Sequence, residues 1–261
     1  MNTVTAPLVF ITGASSGIGQ ALAERFARSG ARLALVARRS EAIDDWLRAQ
    51  GIGPEQARAY AADVSEPASI QAAALACIEQ QGLPDIVVAN AGISVGMDTE
   101  VFADLDVMRR TFLTNNLGLA ATFQPFLRAM RARRSGTLVG VASVAGIRGL
   151  PGHGAYCASK AAAISYCESL RTECRDSGVC VVTLLPGYVD TPLTQGNRYA
   201  MPFLMPAQAF AERAHAAILR GDSYRVIPWQ MAWVVRLLRV LPNGLFDRAV
   251  QGRGRKRRQG Q

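Results

Sequence analysis

Short apolar runs alternate along this chain with longer stretches in which apolar residues recur every three or four positions. LVFIT (8–12), RLALVA (32–37), DIVVAN (85–90), TLVGVAS (137–143) and VCVVTLLP (179–186) are apolar nearly throughout, as strands covered on both faces must be. ARAYAA (57–62) and SYRVIP (223–228) fit a third and a seventh strand. Helical spacing predicts helices over about 18–29, 41–50, 67–81, 104–132, 155–175 and 207–221. This alternation predicts an α/β fold, a doubly wound parallel sheet of about seven strands with helices on both faces. No repeat or internal linker interrupts residues 1–227, so they are expected to form one domain.

In such sheets ligands bind beyond the carboxyl ends of the strands. TGASSGIG (12–19) joins the first strand to the first helix. Gly13, Gly17 and Gly19 allow a sharp turn and close backbone approach, and the helix start adds unpaired N–H groups and positive dipole potential. That combination suits a pyrophosphate. A glycine turn alone is often only a tight connection; its place between strand and helix makes it a candidate. Strand two ends in VARRS (36–40), with Ala37 where an acid would hold a ribose 2′-hydroxyl, and Arg38 and Arg39 next. A carboxylate repels a 2′-phosphate and a guanidinium grips it, so the pattern favours NADP(H) over NAD.

Of 29 basic residues, only Lys160 and Lys256 are lysines. In so arginine-rich a chain a retained Lys asks for a chemical reason, since its compact ammonium differs from the planar guanidinium fork. Lys160 follows Tyr156 by four residues in GHGAYCASK (152–160), on one face of a predicted helix. An ammonium roughly 4 Å from a phenolate interacts by about 4 kcal/mol at an effective dielectric near 20. That is expected to lower the phenol from about 10 by up to about three units and fit it for proton transfer. Tyr and Lys at this spacing alone form a common surface pair. Ser143, at the end of the fifth strand, adds a hydroxyl for a carbonyl oxygen. Asn115 in TNNLG is a fourth polar candidate, and Asn116 beside it reads as surface.

Together these segments resemble the classical short-chain dehydrogenase/reductase family over nearly the whole chain. The matching elements are TGASSGIG, the Ala–Arg after strand two, DV (63–64), NAG (90–92), NNLG (115–118), SVAG (143–146), YCASK (156–160) and PGYVDTP (186–192). The resemblance implies a Rossmann-like fold and carbonyl–alcohol interconversion by hydride transfer. Tyr156 is then the general acid/base and Ser143 orients the carbonyl. Lys160 lowers the tyrosine pKa and binds the nicotinamide ribose, and Asn115 supports a water in a proton relay. Expected cofactor contacts are Gly13, Ser15, Ser16, Gly17, Ile18, Gly19, Arg38 and Arg39, with Asp63 and Val64 at the adenine. Asn90, Gly92, Tyr156, Lys160, Pro186, Gly187 and Val189 complete them, with Thr191 at the carboxamide. VAN replaces the commoner NN before AG, a departure of little expected consequence. His153 is read as a loop residue near the site mouth and Cys157 as packing. A small carbonyl or alcohol substrate and a homo-oligomer, dimer or tetramer, are expected.

Hydrophobic content of 49% and charged content of 19% exclude a disordered chain. Net charge is +9, but residues 251–261 hold five basic residues and no acid, leaving the body at +4. Five cysteines show neither CxxC nor zinc-ligand spacing and are expected as reduced thiols. The N-terminus runs straight into a strand and no apolar run suits a membrane span, so a cytoplasmic protein is expected. In the expected substrate lid (192–206), Met201, Phe203, Leu204 and Met205 point to a hydrophobic substrate, with Arg198 the sole charge. PWQMAWVVRLLRVLPNGLF (228–246) predicts an apolar helix stopped by Pro242, with Arg236 and Arg239 on one face. With the basic and disordered tail, it would hold the protein to an anionic membrane surface on the inner face; alternatively it packs over the pocket or a subunit. No aromatic platform for nucleic acid accompanies the tail. The rival class is a catalytically idle NADP-binding redox sensor or membrane-associated scaffold, which would not need Asn115, Ser143, Tyr156 and Lys160 together.

Overall fold

The structure, a computed structural model, describes residues 6–197, 199–252, 255, 256 and 258. Strands β1 (Leu8–Thr12), β2 (Arg32–Ala37), β3 (Ala57–Ala61), β4 (Ile86–Ala89), β5 (Gly136–Val141) and β6 (Val179–Pro186) alternate with helices. These are α1 (Gly17–Arg28), α2 (Glu41–Ala49), α3 (Pro67–Gln81), α4 (Asp104–Phe112), α5 (Gly118–Arg133) and α6 (Gly154–Glu173). After β6 come β7 (Val189–Asp190), α7 (Pro192–Gln195), β8 (Met205–Pro206), α8 (Ala207–Arg220) and β9 (Tyr224–Ile227). The chain then adds α9 (Trp229–Val240) and α10 (Asn243–Val250).

Seven strands form one parallel sheet in the order β3-β2-β1-β4-β5-β6-β9. The order reverses direction between β1 and β4, and the crevice beyond their carboxyl ends is where such sheets bind ligands. β7 and β8 form a separate small parallel pair. Because the strands are apolar on both faces, two hydrophobic clusters result. One holds Ile11, Phe26, Leu35 and Phe210, and the other Phe10, Val87, Phe126 and Met130. Phe10 and Phe126 meet edge to face at 4.9 Å, a contact worth about 1 kcal/mol beyond area burial.

The seven expected strands and their helices are present to within a residue or two. The predicted helix 104–132 is instead α4 and α5 joined by a π-helical turn, Leu113–Leu117. Periodicity cannot reveal that turn, because what sets it is side-chain insertion from elsewhere. Asn115 reaches the backbone of Ile93 and the hydroxyl of Ser159 on α6, and π turns gather at such sites. Gly118 is needed directly after it, since a Cβ there would stand 2.8 Å from the Val64 carbonyl oxygen.

The C-terminus departs from the expected disordered tail wherever it is described. Arg258 lies in a bridge beside Gly96 and binds Asp104 at 2.7 and 3.0 Å, while Arg255 pairs with Asp98 at 3.2 Å. Composition reads such a run as solvated because it cannot show that two aspartates wait some 154 residues away in sequence. Arg253 and Arg257 lie outside the described residues, as does Arg198 of the lid.

Candidate active site

A cleft of about 720 Å³ opens at the switch point. Its floor is the glycine turn. Gly13 has φ of 66°, a left-handed conformation, and a Cβ on it would lie 2.8 Å from Ala91 Cα. Gly19 faces inward: a Cβ there would fall 2.1 Å from the Gly13 carbonyl oxygen. Asn90 holds this arrangement, donating from Nδ2 to the carbonyls of Thr12 and Gly13 at 2.9 and 3.2 Å. The Thr12 hydroxyl accepts from the Asn90 and Ala91 N–H groups and donates to Val88. It thus stitches β1 to β4. Sequence inspection passed over Thr12, because a strand-end threonine looks like ordinary strand propensity.

Ser16 stands at the N-cap of α1 but its side chain makes no capping bond, and the first turn holds no acid. The N–H groups of that turn therefore face the cleft unpaired, as a pyrophosphate requires. Ser15, Ser16, Gly17, Ile18, Arg38, Asp63, Val64, Asn90, Gly92, Pro186, Gly187, Val189 and Thr191 all line the cleft. Burial tends to raise the Asp63 carboxyl, but two hydrogen bonds from Ser65 and the nearby Arg38 charge hold it below its usual range. These residues fit a nicotinamide dinucleotide. Arg39 and Gly19 are not among the lining residues: Gly19 acts beneath the turn, and Arg39 is exposed outside the cleft. Arg109, Arg110 and Thr194 also line it, and nothing in their sequence context sets them apart.

Asn115 is buried and its amide is fully engaged. Oδ1 accepts from Ile93 N–H at 2.9 Å, and Nδ2 donates to Ile93 O at 3.0 Å and Ser159 Oγ at 2.9 Å. It lies behind Gly92, outside the cleft lining. Asn116, expected at the surface, instead donates to the Ser159 carbonyl at 2.8 Å, the π turn having rotated it inward. Ser143 N-caps a 3₁₀ turn, Val144–Gly146, accepting from Ala145 N–H at 3.1 Å. Its side chain lines the same cleft as Tyr156, and its hydroxyl acts to lower the phenol's pKa. Gly146 lets this turn sit on α6, because a Cβ there would lie 2.6 Å from the Lys160 carbonyl carbon.

Lys160, only 4% exposed, donates to the Val141 carbonyl at 2.8 Å, and its ammonium stands 5.8 Å from the Tyr156 ring centroid. The expected lowering of the tyrosine pKa does not occur in the protein alone. Burial pushes the Tyr156 phenol up to about 12, with the Ser143 hydrogen bond opposing it, and burial pushes Lys160 down to about 8. Lys160 is buried outright and Tyr156 half-buried, so desolvation of the charged form is the largest influence on each. With that shift the phenol stays protonated at neutral pH.

A second cavity of about 110 Å³ adjoins the first. Ser143, Tyr156, Gly187, Leu193 and Thr194 line both. Its apolar wall is not built from the four apolar lid residues singled out above but follows the alternative reading of 228–246, which packs over the pocket. Phe203 and Leu204 are exposed, and Met201 and Met205 do not reach it. Met231, Val234, Val235 and Leu238 of α9 and Phe246 of α10 supply the wall. Arg148 locks these helices down: it donates to the carbonyls of Leu238 and Leu241 and to Asn243, and stacks 4.0 Å from the Phe246 ring. His153 is buried at the pocket edge, with Nδ1 on the Pro151 carbonyl at 3.0 Å and Nε2 on Tyr199 at 3.1 Å. Burial lowers its pKa, so it is neutral near pH 7.

Fold, glycine turn and the Ser–Tyr–Lys cluster mark an oxidoreductase of the Rossmann type, and the chain belongs to the short chain dehydrogenase family, whose pattern matches residues 7–201. It is 40% identical over 244 residues to an uncharacterized oxidoreductase of Myxococcus xanthus, covering 92% of this chain and 95% of that one. A short chain dehydrogenase/reductase from Burkholderia phymatum in complex with NAD is similar at TM-score 0.79 and 27% identity, over 96% of this chain and 97% of that one. An alcohol dehydrogenase from Thermococcus sibiricus complexed with 5-hydroxy-NADP is similar at TM-score 0.74 and 27% identity, over 85% and 96%.

Proposed function

We propose that the protein is an NADP(H)-dependent carbonyl reductase acting on an apolar substrate, with the alcohol oxidation as its reverse. The observation that carries this is the meeting of two cavities at Ser143 and Tyr156, one built for a dinucleotide and one apolar. The cofactor supplies the hydride when bound. Ser143 donates to the carbonyl oxygen and holds it beside the phenol. Tyr156 gives its proton to that oxygen as negative charge develops there, the raised pKa keeping the phenol protonated until then. Lys160 sits behind the tyrosine as a buried charge and would hold a ribose hydroxyl of the bound cofactor, and Asn115 fixes the Ile93 backbone and α6 around it.

Arg38 at the cleft edge, without an acid at Ala37, supports NADP(H). Arg38→Asp is expected to shift the NADPH-to-NADH ratio of kcat/KM toward NADH by about 10²-fold, the scale of a charge-assisted bidentate contact replaced by repulsion. An unchanged ratio would sink the assignment. Turnover itself is read by NADPH oxidation across ketones, aldehydes, steroids and lipid-like carbonyls; no turnover of any of them would favour a catalytically idle sensor.

A cytoplasmic protein that rests on an anionic membrane surface is also proposed, now through α9 and not through the tail. Trp229, Trp233 and Leu237 recur every fourth residue and stay exposed, Trp233 at 65%, with Arg236 5.6 Å from the Trp233 ring centroid. Tryptophan, aliphatics and arginine on one exposed face suit a headgroup boundary. None of the helices among the described residues is long and apolar enough to cross a membrane. Wild type is expected to float with phosphatidylserine vesicles and the Trp229→Ser/Trp233→Ser double variant to stay in solution; equal behaviour of the two refutes this face. Leu105, Met108 and Leu117, exposed along α4 and the π turn, suit contact between copies of a homo-oligomer.

A further inference from the structure

The second lysine of this arginine-rich chain lies in the substrate pocket. Lys256 lines the same cavity as Tyr156 and His153, although the two are a hundred residues apart in sequence. It stands there against Leu193 and Asn197, which line the same cavity. Arg255 and Arg258 on either side are each neutralised, by Asp98 and Asp104 respectively. Lys256 is not: its ammonium donates to Asn197 Oδ1 at 2.7 Å and to the Leu193 carbonyl at 3.2 Å, both uncharged. An ammonium has three donors, so one remains beyond these two bonds. Among the described residues lining the cavity none is acidic, and the other cation, Arg148, is spent on three oxygens of the α9–α10 junction. His153 is neutral and brings no compensating charge.

A half-buried positive charge in an apolar pocket, with neutral acceptors only, is incompletely compensated. Burial accordingly pulls the Lys256 pKa below its ordinary value. A compact ammonium also suits a single small anionic group better than it suits the forked geometry that favours arginine. We propose that Lys256 is an anion-reading subsite of the substrate pocket, and that the substrate is an apolar carbonyl compound carrying a carboxylate at its far end. This deepens the carbonyl-reductase reading and rests on it for the reacting end of the substrate.

The test uses the full chain and matched pairs of compounds. In NADPH oxidation, an ω-oxo carboxylate and its methyl ester of equal chain length are compared for wild type and Lys256→Gln, glutamine keeping a donor toward Asn197 without the charge. The wild-type ratio of kcat/KM, acid over ester, is expected to be at least about tenfold, and to fall toward unity in Lys256→Gln. The ratio is independent of the folded fraction, so a variant that merely loosens the tail leaves it unchanged, and that outcome overturns the proposal. Calorimetric binding of the unreactive saturated acid and its ester reads the subsite without turnover. Tighter binding of the acid, lost in Lys256→Gln, supports the subsite even if no carbonyl is reduced, which would refute the reductase reading alone. Equal binding of acid and ester by wild type overturns the subsite whatever the turnover shows.

Discussion

Tyr156→Phe is expected to lower kcat for carbonyl reduction by about 10²–10⁴-fold, the range of a lost general acid, while NADPH binding stays within a few-fold of wild type. The ring is kept, so the walls of both cavities keep their shape; only the hydroxyl at their junction with Ser143 is removed. Because burial pushes the phenol up to about 12, reduction by wild type is not expected to lose its proton donor anywhere between pH 6 and 10. Alcohol oxidation needs the phenolate, so its rate is expected to climb by up to about tenfold per pH unit from pH 6 to about 8, where Lys160 begins to lose its own charge. Stopped-flow NADPH fluorescence for binding and single-turnover absorbance for chemistry separate the two effects. A phenylalanine variant retaining a tenth or more of kcat would remove Tyr156 from the proton transfer.

Lys160→Met is expected to cost activity and raise stability at once. The ammonium is buried, and its pKa falls from 10.5 in the unfolded chain to about 8 in the folded one. At roughly 1.4 kcal/mol per unit this is a cost on the order of 3 kcal/mol. Below pH 8 the group is charged in both states and the cost is present in full. Between about 8 and 10.5 the folded protein releases the proton first, binds fewer protons than the unfolded chain, and gains stability as pH rises. Methionine removes the charge but leaves the Val141 carbonyl without its 2.8 Å donor, which returns about 1 kcal/mol. The net gain of about 2 kcal/mol corresponds to a melting temperature about 4–8 °C higher at pH 7. The difference should shrink as pH passes 8. Turnover in the same variant is expected to fall at least about 10²-fold if, as proposed, the buried charge behind Tyr156 assists the proton transfer. A methionine variant that melts below wild type at pH 7 would show that Lys160 is not held at a cost. Buried charge kept against stability is the mark of a functional group.

Much of the site was legible beforehand because its signals are local. Tyr156 and Lys160 share a helix face by spacing alone, and both line the cleft with Ser143. The glycine turn combines a left-handed φ at Gly13 with a close backbone approach, conditions that leave glycine as a visible trace. Arg38 could be chosen from the missing acid before it, whereas Arg39 could not be separated from it, since adjacent residues point to different sides only once the turn is folded. Asn115 was visible as a polar residue in a helix, but its place beside Gly92 and Ser159 depends on a π turn that no periodicity records.

By itself the sequence determined the strand–helix alternation, the glycine turn and the spacing of tyrosine and lysine, because each is set by neighbours a few residues apart. Only the tertiary structure decided the rest. It added α9 and α10 to a pocket wall that the lid shares through Leu193, Tyr199 and Pro202, and it brought Arg258 to Asp104 and Lys256 to the pocket mouth. It also reversed the expected direction of the Tyr156 pKa. The reason is the same in each case. Burial sums over every atom packed around a group, and most of those atoms arrive from distant parts of the chain.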